Sequence, residues 1–432
     1  SEMCIRDRYT YDDKYVLSGS IRWDRSNLWG TNSKYQNKPL WSVGGSWNIY
    51  KEKFFQADFV DMLKLRASYG IGGNIGRNTA PYLIASYYDS SLVDGMAGSV
   101  NTPPNKDIRW EKTTTVNVGV DFALFRHRLS GTIEYYNKYS VDLLAAINGS
   151  PTQGFGYTTL MTNNGKMVNR GVEITLSGEI IRQKDFSWNA SLLYAFNRNK
   201  VKHISVQPSL WDSRISMPTS YPMVGKPLYG IYAYKWAGLN ENGDPQVYDA
   251  ENNVTSGPAR DYHALVYCGT TVPIHNASLT NVLRYKGFEF SAMLILDAGH
   301  KLRSSNIPSI NMSNGRITST AKGIVDRWTQ PGDVTDVPRL LFSNDTENFN
   351  THRTELYRYS DLFVYDASNI RLSNISLAYR VPAHWCKKIS LSGARLQFNV
   401  ENVATFAFDS KANYDLGGKV KPNYVWGLYL NC

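Results

Sequence analysis

The chain has 432 residues, a formal net charge of +10 and 13% aromatic residues, among them 29 Tyr and 11 Trp. No stretch approaches the roughly 20 apolar residues of a transmembrane helix; no apolar run is longer than Ala292-Met293-Leu294-Ile295-Leu296. Lys and Arg are scattered rather than gathered in a stripe, which argues against nucleic acid as a partner, and Cys4, Cys268, Cys386 and Cys432 have neither metal-ligand nor C-x-x-C spacing.

Residues 1–8 (SEMCIRDR) are charged and carry no apolar signal segment. They are similar to translated adapter sequence and are expected to be a non-native leader outside the fold, leaving residues 9–432 as the structural domain. The first strand is expected near Asp13–Asp24, with Tyr15, Leu17, Ile21 and Trp23 on one face and Ser18, Ser20, Arg22 and Asp24 on the other. After a polar connection, Trp41, Val43, Trp47 and Ile49 mark a second. A third places Leu63, Leu65, Ala67 and Tyr69 against Lys64, Arg66 and Ser68.

After the long segment Gly72–Ile108, Val116, Val118, Val120 and Phe122 alternate with Thr115, Asn117, Gly119 and Asp121. A tight turn at Phe125-Arg126-His127 leads to Leu129, Ile133 and Tyr135. The connection Ser140–Lys166 precedes Val172, Ile174, Leu176 and Ile180. A turn at Arg182-Gln183-Lys184 follows, and then Phe186, Trp188, Ala190, Leu192, Tyr194 and Phe196 in strict alternation.

The largest insertion, Arg198–Asn276, contains a strand-like piece, Leu228–Trp236. Ala277–Tyr285 and Phe288–Ala298 read as a hairpin across Lys286-Gly287. A second insertion, Gly299–Leu362, precedes strands near Asp366–Arg380, Ile389–Val400 and Tyr424–Cys432.

Twelve membrane strands result, joined by long and short connections in alternation. The fold class expected is all-β: an antiparallel transmembrane β-barrel, partial in this chain, with long extracellular loops and short periplasmic turns. Aromatic residues near the short turns (Phe54, Phe55, Phe122, Phe186, Trp188, Tyr285, Phe288 and Trp385) fit an interfacial girdle. A soluble propeller would show a regular repeat of about 40–50 residues; none is found, and two insertions exceed 60 residues.

Several ordered motifs resemble the C-terminal barrel region of the SusC/RagA family of TonB-linked outer-membrane transporters. They are Leu63-Lys64-Leu65-Arg66-Ala67-Ser68-Tyr69-Gly70, Asn164-Gly165-Lys166-Met167-Val168-Asn169-Arg170-Gly171-Val172-Glu173, Tyr285-Lys286-Gly287-Phe288, and Asp366-Ala367-Ser368-Asn369-Ile370-Arg371-Leu372. The resemblance implies a parent barrel of about 22 strands with an N-terminal plug outside this stretch. It also implies a Gram-negative outer-membrane location and active import of oligosaccharides or peptides. The implied partners are a SusD-like lipoprotein over the mouth, the TonB complex acting through the plug, and outer-membrane lipid. The chain departs from the family in ending on Cys432 rather than an aromatic residue.

None of the seven His lies in a nucleophile motif, so no catalytic residue and no cofactor are expected and the protein reads as a non-enzyme. Asn240, Asn242 and Asp244, around Gly243, offer oxygen ligands but lack EF-hand spacing; a plain polar turn is the competing reading for this weak metal candidate. Rings in the long insertions supply flat apolar faces for cargo, and Trp211, Tyr221, Tyr229, Tyr248, Trp328 and Tyr357 are the substrate-binding candidates. The competing reading is that they pack the loops. Two other functions fit a β-rich chain: a passive porin or surface adhesin, and a soluble carbohydrate-binding β-protein. A plug and TonB-contacting segment in the whole protein would separate the first from an importer; stability without detergent would mark the second.

Overall fold

The computed structural model describes residues 2–24, 32, 39–74, 81–90, 95–102, 104–148, 152, 159–208, 210–312, 320–342, 351–388, 390–417 and 421–431. Among the described residues, thirteen strands form one sheet, each beside its neighbours in this series. They are β1 (Glu2–Tyr11), β2 (Tyr15–Asp24), β3 (Leu40–Asn48), β4 (Val60–Asn74), β5 (Glu111–Leu124), β6 (Leu129–Asn148) and β7 (Thr159–Arg182). After them come β8 (Phe186–His203), β9 (His275–Tyr285), β10 (Phe288–Ala298), β11 (Asn369–Arg380), β12 (Gly393–Ala407) and β13 (Asn423–Asn431). Among the described residues, no helix is long and apolar enough to cross a membrane.

The count differs from the expected twelve because the residues set aside as a leader are part of the sheet. Glu2–Tyr11 pairs antiparallel with Tyr15–Asp24 in unbroken register. Ladder pairing uses the main chain, so almost any extended segment can supply it. The alternation is also present, with Ile5, Tyr9 and Tyr11 exposed on one face and only Asp7 interrupting. The reversal is tight, a three-residue loop over 12–14 in which Asp12 (φ 48°) and Asp13 (φ 50°) take left-handed conformations.

The two ends of the strands differ in their connections, with some overlap in length. Connections at one end run from residues 286–287 to 381–392, and at the other from 149–158 to 204–274. The stretch Ser140–Lys166, expected to be a long loop, is mostly strand: β6 has 20 residues and β7 has 24. Both exceed the 9–11 residues or so that cross a bilayer, so this ribbon continues past it. Asn163 secures the ribbon by accepting from Arg109 N at 3.0 Å and donating to Arg109 O at 2.8 Å and Asp142 O at 2.7 Å.

The chain divides into two compact units. One comprises Ser1–Gln207, Met223–Pro227 and Ala277–Phe290; the other comprises Pro208–Pro222, Leu228–Asn276 and Ser291–Cys432. In the first unit the apolar side chains of the zigzag stand uncovered: Leu17, Val43, Tyr69, Val118, Ile133 and Tyr135 are all exposed. The opposite face is a polar network. Arg66 donates through Nε to both Asp121 oxygens at 3.1 and 3.0 Å and through Nη2 to Glu134, while Thr132 donates to Asp121 at 3.0 Å. Ser20 and Ser42 bond at 2.7 Å, and Thr113 and Ser140 at 2.8 Å. A shallow recess of about 370 Å³ opens on this face, lined by Arg8, Ser18, Gly44, Lys64, Arg66 and Asn117 among others.

The motif containing Gly171 has a packing reason. Gly171 pairs with Tyr136, and a Cβ at Gly171 would sit 2.4 Å from that ring. The glycine lets the aromatic ring lie flat across the strand.

Of the aromatic residues expected near the short turns, Phe54, Tyr285, Phe288 and Trp385 are exposed, and Phe55, Phe122, Phe186 and Trp188 are half-buried. Trp188 donates to Asn281 Oδ1 at 3.1 Å. Cys432 lies outside the described residues.

The uncovered zigzag face makes a measurable distinction. Ile133, which pairs with Val120 and Ile174, is mid-strand on the apolar face. Ile133→Arg is expected to cost about 2–4 kcal/mol in a bilayer. Asn117→Arg, on the polar face, is expected to cost less than half of that. Denaturant unfolding of the protein in lipid vesicles reads both.

Candidate functional site

Most of the first large insertion, Pro208–Pro222 and Leu228–Asn276, and the whole of the second belong to the second unit, where they bury an interior of their own. Within Arg198–Asn276 the expected strand piece Leu228–Trp236 is Gly230–Tyr234, fully buried, followed by Trp236–Leu239. Gly230–Tyr234 pairs with Leu265–Thr270, and the register shifts between Ile231 and Tyr232. Tyr234 donates its hydroxyl to Ala259 O at 2.8 Å, and burial raises its pKa above the ordinary tyrosine value. From the second insertion come Ile310, Tyr357 and Phe363, which form a core with Trp236, Ile307, Leu362 and Tyr365 against it. Tyr357 meets Phe363 edge-on at 4.9 Å. Loops this long stay ordered only by burying apolar area of their own.

Charged groups link these segments. Arg303 donates to three carbonyls, Tyr232 O at 2.6 Å, Arg358 O at 3.2 Å and Ser360 O at 3.3 Å. Asp415, from the loop between β12 and β13, accepts from Ser304 Oγ at 2.8 Å and from Ser305 N and Oγ at 3.0 and 2.6 Å. Cys268 is a free thiol whose pKa burial raises to about 11, which disfavours its thiolate.

Asn240, Asn242 and Asp244 form a turn engaged with the protein itself. Asn240 Oδ1 accepts from the backbone N–H groups of Asn242 at 3.0 Å and Asp244 at 2.8 Å. Both Asp244 oxygens accept from Arg339, at 3.1 and 2.8 Å, and Oδ1 also from Arg353 at 2.7 Å. Arg353 is only 2% exposed. Gly243 has φ +74°, and a Cβ there would fall 2.4 Å from the Trp328 ring. The carboxylate thus pairs with two guanidinium groups at once and ties the first insertion to the second. Among the described residues, no group of three or more His, Cys, Asp or Glu could hold a metal.

The six candidate rings occupy different places. Tyr357 is 2% and Tyr221 7% exposed; both lie in the loop interior. Trp211 stacks on Tyr234 at 6.0 Å and leans on Tyr359 at 6.2 Å. Trp328 covers Gly243, and Tyr248 is half-buried with Lys235 Nζ 5.0 Å from its centroid. Tyr229 is 49% exposed. The structure therefore gathers Trp211 with Tyr234 and Tyr359, seats Tyr357 in the core, and leaves Tyr229 as the open ring. Reading the sequence missed Arg303, Arg353 and Asp415, the groups that hold the cluster. Isolated charged residues in loops look alike until their partners are known.

Removing Asp244 strands Arg353 in the interior. Asp244→Ala is expected to destabilise the loop cluster by about 3–5 kcal/mol, read as faster amide exchange over residues 236–248 and 351–358. His300 supplies a pH test. Burial lowers its pKa below the ordinary 6.5, against the opposing pull of Asp297 and Asp366, and its Nδ1 is buried without a partner. Folding therefore favours the neutral ring. Its contribution is complete above pH 6.5 and is lost as the pH falls through the lowered value. Protection of the amides at residues 299–303, corrected for the intrinsic exchange rate, is expected to weaken on acidification in the native protein and to change less in His300→Gln.

Comparison with known proteins places the chain. The family model described as TonB dependent receptor-like, beta-barrel, matches residues 4–403. A TonB-dependent receptor of Formosa agariphila is 27% identical over 98% of this chain and 43% of its own length. TonB-dependent receptor SusC of Bacteroides thetaiotaomicron is 25% identical over 92% of this chain and 39% of its own length. The structure of the RagAB peptide transporter superposes with a TM-score of 0.80 at 23% identity, covering 99% of this chain and 47% of that one. The chain thus spans less than half the length of the curated relatives it matches. It belongs to the TonB dependent receptor-like β-barrel family, is of the SusC/RagA type, and is part of an outer-membrane β-barrel of Gram-negative bacteria.

Proposed function

We propose that the chain is the C-terminal barrel portion of a TonB-linked importer that carries oligosaccharides or peptides across the outer membrane with a SusD-like lipoprotein as its lid. The observation that carries this reading is family membership over residues 4–403. Relatedness to SusC supports the lipoprotein partner, and the fold shared with a peptide transporter supports oligomeric cargo. The folded insertions are consistent with it. A passive pore gains nothing from loops with a buried core of their own, whereas a gated mouth needs a firm surface for cargo and lid to meet. Transport of this kind makes and breaks no covalent bond in the cargo, so binding and release are the only chemistry asked of these loops.

Tyr229 is the proposed open contact, with Trp211, Tyr248 and Trp328 as half-buried neighbours in the same insertions. Tyr221 and Tyr357 then act by holding the loops in place. The proposed roles of Asn240, Asn242 and Asp244 are likewise positional.

The test is uptake by the native bacterium of labelled oligosaccharide and oligopeptide pools. Deleting the gene is expected to abolish uptake of one pool, and a protonophore is expected to do the same in the intact strain. Uptake that survives collapse of the proton gradient would mean a passive pore instead. Tyr229→Ala is expected to weaken cargo binding about ten-fold with the loops still folded. Tyr357→Ala, by contrast, is expected to destabilise the insertion by about 3–5 kcal/mol.

A further inference from the structure

Three neighbouring turns at the short-connection end of the first unit carry an excess of cations. The β5–β6 turn contributes Arg126 and Arg128, the β7–β8 turn Arg182 and Lys184, and the β9–β10 turn Lys286; all are exposed. The turns adjoin, since Glu179 N donates to Arg128 O at 2.8 Å and Lys286 N donates to Asp185 O at 2.9 Å. The carboxylates among them are fewer. Glu179 pairs with Arg182 at 3.5 Å, Asp61 accepts from the His127 backbone at 2.7 Å, and Asp185 is the third.

Beside these cations is an apolar groove of about 240 Å³ lined by Phe125, Arg128, Leu129, Gly178, Glu179 and Ile180. Two features shape it. Gly178 pairs with Leu129 and projects nothing, so the groove floor stays open. The β7–β8 register slips opposite Trp188 and Asn189, leaving Ile180 unpaired with β8 and 46% exposed. Such bulges re-aim a side chain at a barrel rim. Arg128 Nη2 donates to Glu179 O at 3.3 Å and Ile180 O at 3.0 Å, which holds its guanidinium at the groove. The turn itself is strained: Phe125, Arg126 and His127 all have φ between 58° and 60°, a conformation rare outside glycine. Phe125 stacks on Phe59 at 5.9 Å, giving the rim a paired aromatic platform of the kind found at headgroup depth.

An apolar groove edged by the Arg128 guanidinium, with further cations on the same and adjoining turns, on the membrane-facing side, matches one molecule with a charged head and a fatty tail. We propose that this rim binds an anionic phospholipid of the periplasmic leaflet, its phosphate on Arg126, Arg128 and Lys184 and an acyl chain in the groove over Gly178. Family topology puts the short turns on the periplasmic side, where the leaflet is phospholipid. A free phosphate would use the cations and leave the groove without purpose. The site depends on the protein being an outer-membrane barrel and is independent of what the barrel imports.

The test is electron paramagnetic resonance of the full-length protein in phosphatidylcholine vesicles, with spin-labelled phosphatidylglycerol or phosphatidylcholine as the probe. The native protein is expected to immobilise phosphatidylglycerol about five-fold more strongly. Arg126→Gln/Arg128→Gln/Lys184→Gln is expected to remove the preference, while Arg126→Lys/Arg128→Lys keeps it. Gly178→Leu, which fills the groove and leaves every charge in place, is expected to weaken phosphatidylglycerol association several-fold. Heat-modifiable migration in gels verifies that each variant is folded. Equal immobilisation of the two lipids by the native protein would overturn the proposal. A preference that persists in the glutamine variant, or that inorganic phosphate at matched ionic strength erases, would overturn it as well.

Discussion

Main-chain hydrogen bonding in a medium without water governs this structure. A strand at membrane depth has no solvent to satisfy its N–H and C=O groups, so each must meet a partner in the next strand. That requirement makes the elements extended and the neighbours sequential, and it sends irregular backbone beyond the bilayer. Side chains are then sorted by the pleat alone. Odd and even positions fall on opposite faces, and one face meets lipid while the other meets water or protein. The exposed Leu17, Val43, Val118 and Ile133 and the bonded Arg66, Asp121 and Glu134 are the two results of that sorting.

Within the ladder, a few positions depart from plain alternation for local reasons. Gly171 lies under the Tyr136 ring, so a missing side chain there improves packing. Asn163 holds the extended β6–β7 ribbon to the segment at Arg109. The bulge at Ile180 turns an apolar side chain outward where β7 ends. Each device acts through neighbours that are distant in the chain and adjacent in the sheet.

The long insertions obey different physics. They lie outside the ladder and must repay their own conformational entropy. They do so with a small aromatic core at Tyr357, Phe363 and Trp236 and with charged groups that cross between segments. Asp244 with Arg339 and Arg353, and Arg303 with three carbonyls, leave few polar groups unmatched. Rings that look like cargo contacts in a linear sequence are mostly consumed by this need, which is why Tyr229 stands apart from Tyr221 and Tyr357.

The sequence by itself determined the strands, their faces and the assignment of connections to two ends, because a period of two is imposed residue by residue and needs no knowledge of partners. It also carried the family resemblance in its ordered motifs. It set residues 1–8 outside the fold, whereas Glu2–Tyr11 pairs with β2 across the interruption of the alternation at Asp7. It also misjudged the extent of β6 and β7, which run on as a ribbon beyond the stretch where alternation is enforced. Only the tertiary structure decided which loop rings are buried, which carboxylate joins which guanidinium, and where cations and a groove meet at the rim. Those outcomes depend on contacts between residues as much as 125 positions apart, as between Trp236 and Asp361, and no local pattern encodes a partner at that distance.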